Sequence, residues 1–123
     1  MTAPVWMNSV IGEFGRAAGL GSLSLGERGA AALSFENGAS LRLEYTGEEL
    51  VMAVTTPSAD LKRLLAAAHP RARHGLRVRA GVLAKSGRAV VATRIAERDV
   101  TLPRVNGAFG VLWRLAAEIG GVQ

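Results

Sequence analysis

The sequence contains no cysteine. Disulfide bonds, thiol nucleophiles and thiolate metal sites are therefore excluded, and this absence is typical of proteins that stay in a reducing compartment. Apolar residues never form a run long enough to cross a membrane, and the first residues lack the basic start and apolar stretch of a signal peptide. We therefore expect a cytoplasmic protein without a membrane span.

Residues that usually carry catalysis are also scarce. The two histidines, His69 and His74, lie five residues apart across a proline turn, whereas two metal ligands on one helix would be four residues apart. No carboxylate lies nearby to complete a metal site. No serine lies in a nucleophile elbow, and no glycine-rich segment is followed by the lysine of a phosphate-binding loop. The sequence therefore predicts no metal, no cofactor and no enzymatic activity.

Length and composition indicate one domain. The chain has 123 residues, of which 49% are hydrophobic and 20% are charged. A chain of this size forms one hydrophobic core and has too few residues for two. With no linker between segments, we expect a single domain over residues 1–123.

The charge is unevenly distributed along the chain. Residues 1–60 carry three basic and seven acidic side chains, whereas residues 61–123 carry twelve basic and three acidic ones. Such polarity can attract an acidic or nucleic-acid partner, or let two copies meet with complementary surfaces. The alternative is a solvated surface rich in arginine.

Hydrophobic periodicity predicts helices near both ends of the chain. Residues 5–18 carry apolar side chains at helical spacing, and Gly19 ends this segment. A loop with three leucines follows. Thr101, Leu102 and Pro103 begin a last helix whose apolar positions recur every three or four residues.

Alternating residues predict five strands and a helix between the third and fourth. Asn37 and Gly38 favour a hairpin turn between the first two strands, and His69 and Pro70 end the middle helix, which begins at Thr56 and Pro57. Residues 71–75 are interpreted as a basic loop, and residues 89–92, apolar on both faces, as a strand covered on two sides. The predicted fold is α+β: an antiparallel β-sheet with three helices in the order α-β-β-β-α-β-β-α.

Two stretches of the sequence resemble a known family. The first is the segment 10–16 followed by Gly19, Leu20, Leu23, Leu25, Gly29, Leu33 and Phe35; the second is the segment 87–95 followed by Leu102, Pro103 and Trp113. Both are similar to the class I type III secretion chaperones, also called the Tir-chaperone family. The resemblance covers roughly residues 5–119. Members are commonly acidic, whereas this chain has a sequence pI of about 11.0.

The resemblance implies a cytoplasmic homodimer that binds the N-terminal segment of a secreted effector and keeps it non-globular without ATP. It places effector-binding side chains on the first helix and the neighbouring sheet: Val10, Phe14, Leu20, Leu23, Leu33 and Phe35. It places the dimer interface on the middle helix and the strand after it: Leu61, Leu64, Leu65, Leu76, Val78 and Val82. For each of these residues the alternative is plain core packing, because apolar residues at regular spacing usually face the core.

A basic RNA-binding module is the alternative from another functional class. A helix, three strands and a helix is also the element order of a double-stranded RNA-binding domain, and the basic second half would suit phosphate contacts. However, Asp60 is an acid at the start of the predicted middle helix, where such a domain would carry basic residues. The basic strands also offer no aromatic platform for stacking bases. We therefore expect nucleic-acid binding to be weak.

Overall fold

The structure is a computed structural model that describes residues 2–57, 71–73, 76–82 and 88–120. Within these ranges the chain forms two α-helices, a short 3-10 helix and one six-stranded antiparallel sheet of order β1-β2-β3-β6-β5-β4. The elements are α1 (Val5–Ala17), β1 (Ala30–Ser34), β2 (Ser40–Tyr45), β3 (Glu49–Thr55), β4 (Arg71–Arg73), β5 (Leu76–Val82), β6 (Ala89–Ala96), the 3-10 helix (Glu97–Asp99) and α2 (Leu102–Gly120). The α+β prediction is confirmed.

The region between β3 and β5 differs from its prediction. The predicted middle helix lies outside the described residues apart from its first two, and one of these, Thr56, extends β3: its N–H donates to the Ala89 carbonyl oxygen over 2.8 Å. The basic loop predicted over residues 71–75 is wrong for Arg71–Arg73, which form β4 and pair with β5. Arginine has no strong preference for strands, so the pairing with β5 decides this conformation and local sequence does not.

The hairpin between β1 and β2 is confirmed. Gly38 has a φ of 89°, a left-handed conformation that glycine adopts without steric cost. The side-chain oxygen of Asn37 accepts a hydrogen bond from the Ala39 N–H at 2.9 Å, as asparagine commonly does two residues ahead in a turn. Ser34 and Ser40 pair at the ends of the two strands, and the Phe35 N–H donates to the Ala39 carbonyl oxygen at 2.9 Å within the loop.

The core lies between one face of the sheet, here called the inward face, and the two helices. Buried residues alternate with exposed residues on β2 and with half-buried residues on β3, so each strand presents every second side chain to the core. The largest fully buried side chains are Phe14, Met7, Ile11, Leu41, Leu43, Leu50, Met52, Leu112, Ile119, Val54, Val91 and Val105. Each contributes roughly 1.5–3 kcal/mol by its burial. On β6 only alternate residues are fully buried, so the prediction of a strand covered on both sides is only partly correct.

The leucine-rich loop after α1 folds back onto that helix. Gly19, with a φ of 73°, ends α1 in a Schellman motif: its N–H donates to the Arg16 carbonyl, and the Leu20 N–H donates to the Gly15 carbonyl at 2.7 Å. Farther along, the Leu25 N–H donates to the side-chain oxygen of Asn8 at 2.8 Å. The loop is therefore tied to α1 at both ends.

Gly15 allows the loop to lie against α1. A Cβ atom at this position would be 2.8 Å from both the Gly21 carbonyl oxygen and the Leu23 Cβ, too close for any contact. At Gly12, one turn earlier, the nearest atoms would be 3.7 Å away, an ordinary contact distance. The two glycines on one helix therefore differ in whether a methyl group fits.

The Gly15→Ala variant should lower the free energy of unfolding by about 1–2 kcal/mol, because the new methyl group forces the loop away from α1. The matched variant Gly12→Ala should raise it by about 0.5–1 kcal/mol, because alanine favours the helix and meets no clash. Urea denaturation followed by circular dichroism measures both values. Equal effects of the two substitutions would show that the loop does not lie against Gly15.

Candidate functional site

The six predicted partner-binding residues divide into two groups. Val10, Leu20, Leu23 and Phe35 are half-buried and pack against the edge of the core, and Leu33 is half-buried on β1. Phe14 is different because its side chain has no exposed surface. It is therefore a core residue and cannot contact a partner directly, whereas the other five border solvent.

The strand β1 forms one edge of the sheet. Phe35 donates its N–H to the Ala39 carbonyl, and Tyr45 donates its N–H to the Gly29 carbonyl, so every second residue of β1 is hydrogen-bonded to β2. The N–H and C=O groups of the intervening residues, Ala32 and Ser34, therefore point away from β2 towards the open edge. Such an edge can pair with an additional strand.

A chain of aromatic rings connects the core to the surface beside β1. The Phe14 and Phe109 rings meet edge to face with centroids 5.4 Å apart, and Phe109 lies 5.6 Å from Trp113. Trp113 in turn meets the Phe35 ring at 4.8 Å. Phe109 and Trp113 on α2 are half-buried, so they belong to the same apolar border as Phe35. The sequence predicts them only as apolar positions of the last helix, because nothing in the sequence indicates which strand that helix meets.

A small cavity opens next to Trp113. Its volume is about 70 Å³, and it is lined by Asn37, Ala39, Val54, Thr56, Pro57, Trp113, Ala116 and Ala117. Sites for organic ligands are usually about 300–1,000 Å³, so this one suits a single apolar side chain of a partner. The loop between β1 and β2 connects these features. Asn37 and Ala39 line the cavity, and Phe35, the residue directly after β1, is the last ring of the aromatic chain.

The predicted dimer residues are only partly described. Leu61, Leu64 and Leu65 lie outside the described residues, and Leu76 is the first residue of β5. Val78 is 4% exposed and faces the core, whereas Val82 is 48% exposed. Of the predicted dimer residues whose side chains are described, only Val82 exposes a large apolar surface.

The single tyrosine connects β2 to the segment after β6. The Tyr45 hydroxyl donates a hydrogen bond to the Glu97 side chain and lies 3.1 Å from the Gly47 carbonyl oxygen. The hydrogen bond to Glu97 raises the pKa of Tyr45 above its ordinary value of 10.0, and burial and the negative charge of Glu97 act in the same direction. The neutral hydroxyl therefore stabilises the folded state.

The pKa of Tyr45 should fall towards 10.0 in the variant Glu97→Gln, which removes the charge that opposes ionisation. Because the folded pKa is raised, the stabilisation by Tyr45 is complete below pH 10.0 and is lost as the pH rises through the folded pKa. Tyrosinate absorbance in the near ultraviolet measures this pKa directly, since the chain has one tyrosine. An unchanged titration in the variant would show that Glu97 does not bind the hydroxyl in solution.

The described ranges contain neither a cluster of metal-binding side chains nor a helix that could span a membrane. No group of three or more histidine, cysteine, aspartate or glutamate side chains in this part of the chain could hold a metal ion. Neither described helix is long and apolar enough to cross a membrane.

Solved structures share the fold over nearly the whole chain. The crystal structure of the ExsC–ExsE complex contains a chain with a TM-score of 0.71 and 20% identity, covering 94% of this chain and 92% of that one. The Yersinia pestis type III secretion chaperone SycH, solved with a fragment of YscM2, has a TM-score of 0.70 and 17% identity, covering 92% and 98%. A chain of the HopA1–SchA chaperone–effector complex has a TM-score of 0.69 and 16% identity, covering 98% and 100%. At these identities the likeness establishes the fold alone.

The sequence itself matches a known family. No curated protein sequence matches the chain significantly. A family profile, in contrast, matches residues 6–120, which include all the described strands and both described helices apart from Val5. The chain therefore belongs to the family described as type III secretory system chaperone SycN.

Proposed function

We propose that this chain binds the N-terminal segment of a secreted effector protein, here called the client, and keeps it non-globular and competent for export. Family membership and the fold shared with a chain of the HopA1–SchA chaperone–effector complex support the proposal. The match to the family covers both halves of the chain, including the basic half on which the RNA-binding alternative was based.

The open edge of β1 is the observation that carries this proposal. Its outward N–H and C=O groups form backbone hydrogen bonds with an extended client segment, which joins the sheet as an additional strand. Because such pairing uses the backbone, it tolerates many client sequences. The half-buried side chains beside it, among them Leu33, Phe35 and Trp113, then cover alternate apolar side chains of that segment. Backbone pairing provides affinity, and the apolar border provides selectivity.

The proposed mechanism needs neither a nucleotide nor a catalytic group. A client segment that pairs with β1 is held extended for as long as it remains bound, since its backbone groups and apolar side chains are already partnered. We also propose that the chain acts as a homodimer, as the family resemblance implies. The exposed Val82 at the end of β5 agrees with an interface on that side of the sheet, opposite to the edge that binds the client.

The direct test is co-purification of the chain with N-terminal fragments of candidate secreted proteins, with and without ATP. We expect retention in both conditions, and light scattering of the free chain should give twice 12.9 kDa. The variant Leu23→Ala should weaken retention by about 1–2 kcal/mol, because Leu23 is a half-buried apolar residue beside α1. The variant Val5→Ala is a matched control, since Val5 is 83% exposed and lies at the first residue of α1.

Two results would contradict the proposal. Retention that requires ATP would remove the passive mechanism. Failure to retain N-terminal fragments of any secreted protein encoded beside this chain would remove the assigned function. A monomeric mass, in contrast, would contradict only the homodimer.

A further inference from the structure

The outward face of the sheet carries an ordered arrangement of charge that the proposed function does not use. The register places Arg42, Ala53, Ala92 and Arg79 in one row across β2, β3, β6 and β5. Both arginines are exposed and both alanines are half-buried. Three strand spacings separate the arginines, so their Cα atoms are roughly 14 Å apart with two small side chains between them.

The neighbouring row on the same face also carries charged side chains. Glu44, Val51 and Arg94 lie in register on adjacent strands. Arg77 lies next to this row, since it precedes Val78, which pairs with Thr93 beside Arg94. These two rows border a shallow depression of about 540 Å³, lined by Glu49, Val51, Arg77, Arg79, Ala92, Thr93 and Arg94. Both described helices pack on the inward face, so neither of them covers this depression.

The charge of this face is mainly positive. Arg94 pairs with Glu49 at 3.2 Å, whereas no ion pair to Arg42, Arg77 or Arg79 is formed among the described residues. Arg77 and Arg79 are two residues apart on one strand, so their side chains leave the same face about 7 Å apart. An extended peptide has the same spacing between alternate side chains. Two carboxylates at alternate positions could therefore meet both arginines at once.

We propose that this outward face binds an acidic, extended segment of the client, with Asp or Glu at alternate positions facing Arg77 and Arg79. The alanines leave room for the peptide backbone, and Arg42 borders it on the far side. A single exposed ion pair adds little, so binding depends on several carboxylates at the matching spacing. This proposal rests on the proposed function in one respect, namely that the acidic segment belongs to the client.

The test uses a fluorescently labelled synthetic peptide of alternating Glu and Thr, with binding to the full chain followed by anisotropy at low salt. The control peptide has the same composition with all Glu residues in one block. The double variant Arg77→Gln/Arg79→Gln should weaken binding of the alternating peptide by about tenfold or more, and the block peptide should bind the unmodified chain several-fold more weakly. The matched control Arg16→Gln/Arg98→Gln removes the same charge from exposed positions elsewhere and should change affinity by less than about twofold.

Several outcomes would overturn the proposal. Equal losses in both double variants, or equal binding of both peptides, would mean that net charge alone attracts the peptide. Tighter binding of a single-stranded oligonucleotide, with the same dependence on Arg77 and Arg79, would make this a nucleic-acid surface. A change of mass in light scattering for Arg77→Gln/Arg79→Gln, without peptide binding, would make it an interface between copies. The peptide assay uses no client, so a negative result in it would not contradict client binding at β1. A negative co-purification result would likewise not change what the peptide assay shows about Arg77 and Arg79.

Discussion

The variant Phe14→Ala should lower the free energy of unfolding by about 3–5 kcal/mol, a large part of the stability of a domain of this size. The Phe14 side chain has no exposed surface and packs edge to face with Phe109, 5.4 Å between ring centroids. Its removal leaves a cavity between α1 and α2 that neither helix can close without shifting. Chemical denaturation followed by circular dichroism measures the change.

Phe35→Ala is the matched control for this substitution. Phe35 is the other terminal ring of the same aromatic chain, but it is half-buried at the border of the proposed site. Its truncation should reduce client retention more than stability. If Phe14→Ala instead left stability unchanged and weakened retention, Phe14 would lie in the client-binding surface, as the family resemblance alone implied.

The variant Ala32→Pro should weaken client binding by about 3 kcal/mol, more than a hundredfold in Kd, while the chain stays folded. Ala32 directs its N–H to the open edge of β1, so proline removes a donor that a client strand needs and places its ring in the path of that strand. The hydrogen bonds between β1 and β2 belong to neighbouring residues and remain. Titration of a retained client fragment measures the affinity, and denaturation measures the stability.

Ala32→Val separates the backbone effect from the effect of a larger side chain. Valine keeps the N–H and favours a strand, so client affinity should remain close to that of the unmodified chain. If Ala32→Pro binds the client normally, strand addition at β1 is wrong. This conclusion holds even if substitutions in the apolar side chains beside β1 weaken client binding. If both variants lose affinity equally, the side chain and not the backbone is the determinant.

The sequence predicted the local elements of this fold well. The first helix ends where Gly19 predicted, and Asn37 and Gly38 form the predicted turn, because each of these signals depends only on neighbouring residues. The start of the last helix is also confirmed, with the Thr101 hydroxyl accepting a hydrogen bond from the Arg104 N–H at 3.3 Å. Such signals need no knowledge of the rest of the chain.

What the sequence did not predict depends on residues distant along the chain. The strand β4 exists because β5 pairs with it, and nothing in the segment Arg71–Arg73 itself favours a strand. Phe14 and Val10 lie on the same apolar stripe of α1, yet Phe14 is fully buried and Val10 is not. The difference arises from where α2 crosses α1, which periodicity cannot reveal. Core and border residues of the candidate site are therefore distinguishable only in the folded chain.

The composition of β1 has a consequence for the handling of the free protein. The strand reads Ala-Ala-Ala-Leu-Ser and contains no charged residue and no proline, the usual protections of an exposed sheet edge. An edge that is open to a client is equally open to the same edge of another molecule, and nothing in β1 opposes that pairing. Concentrated protein without a client should therefore form amyloid-like or amorphous aggregates nucleated at β1, and co-expression with a client should keep it in solution by occupying the edge.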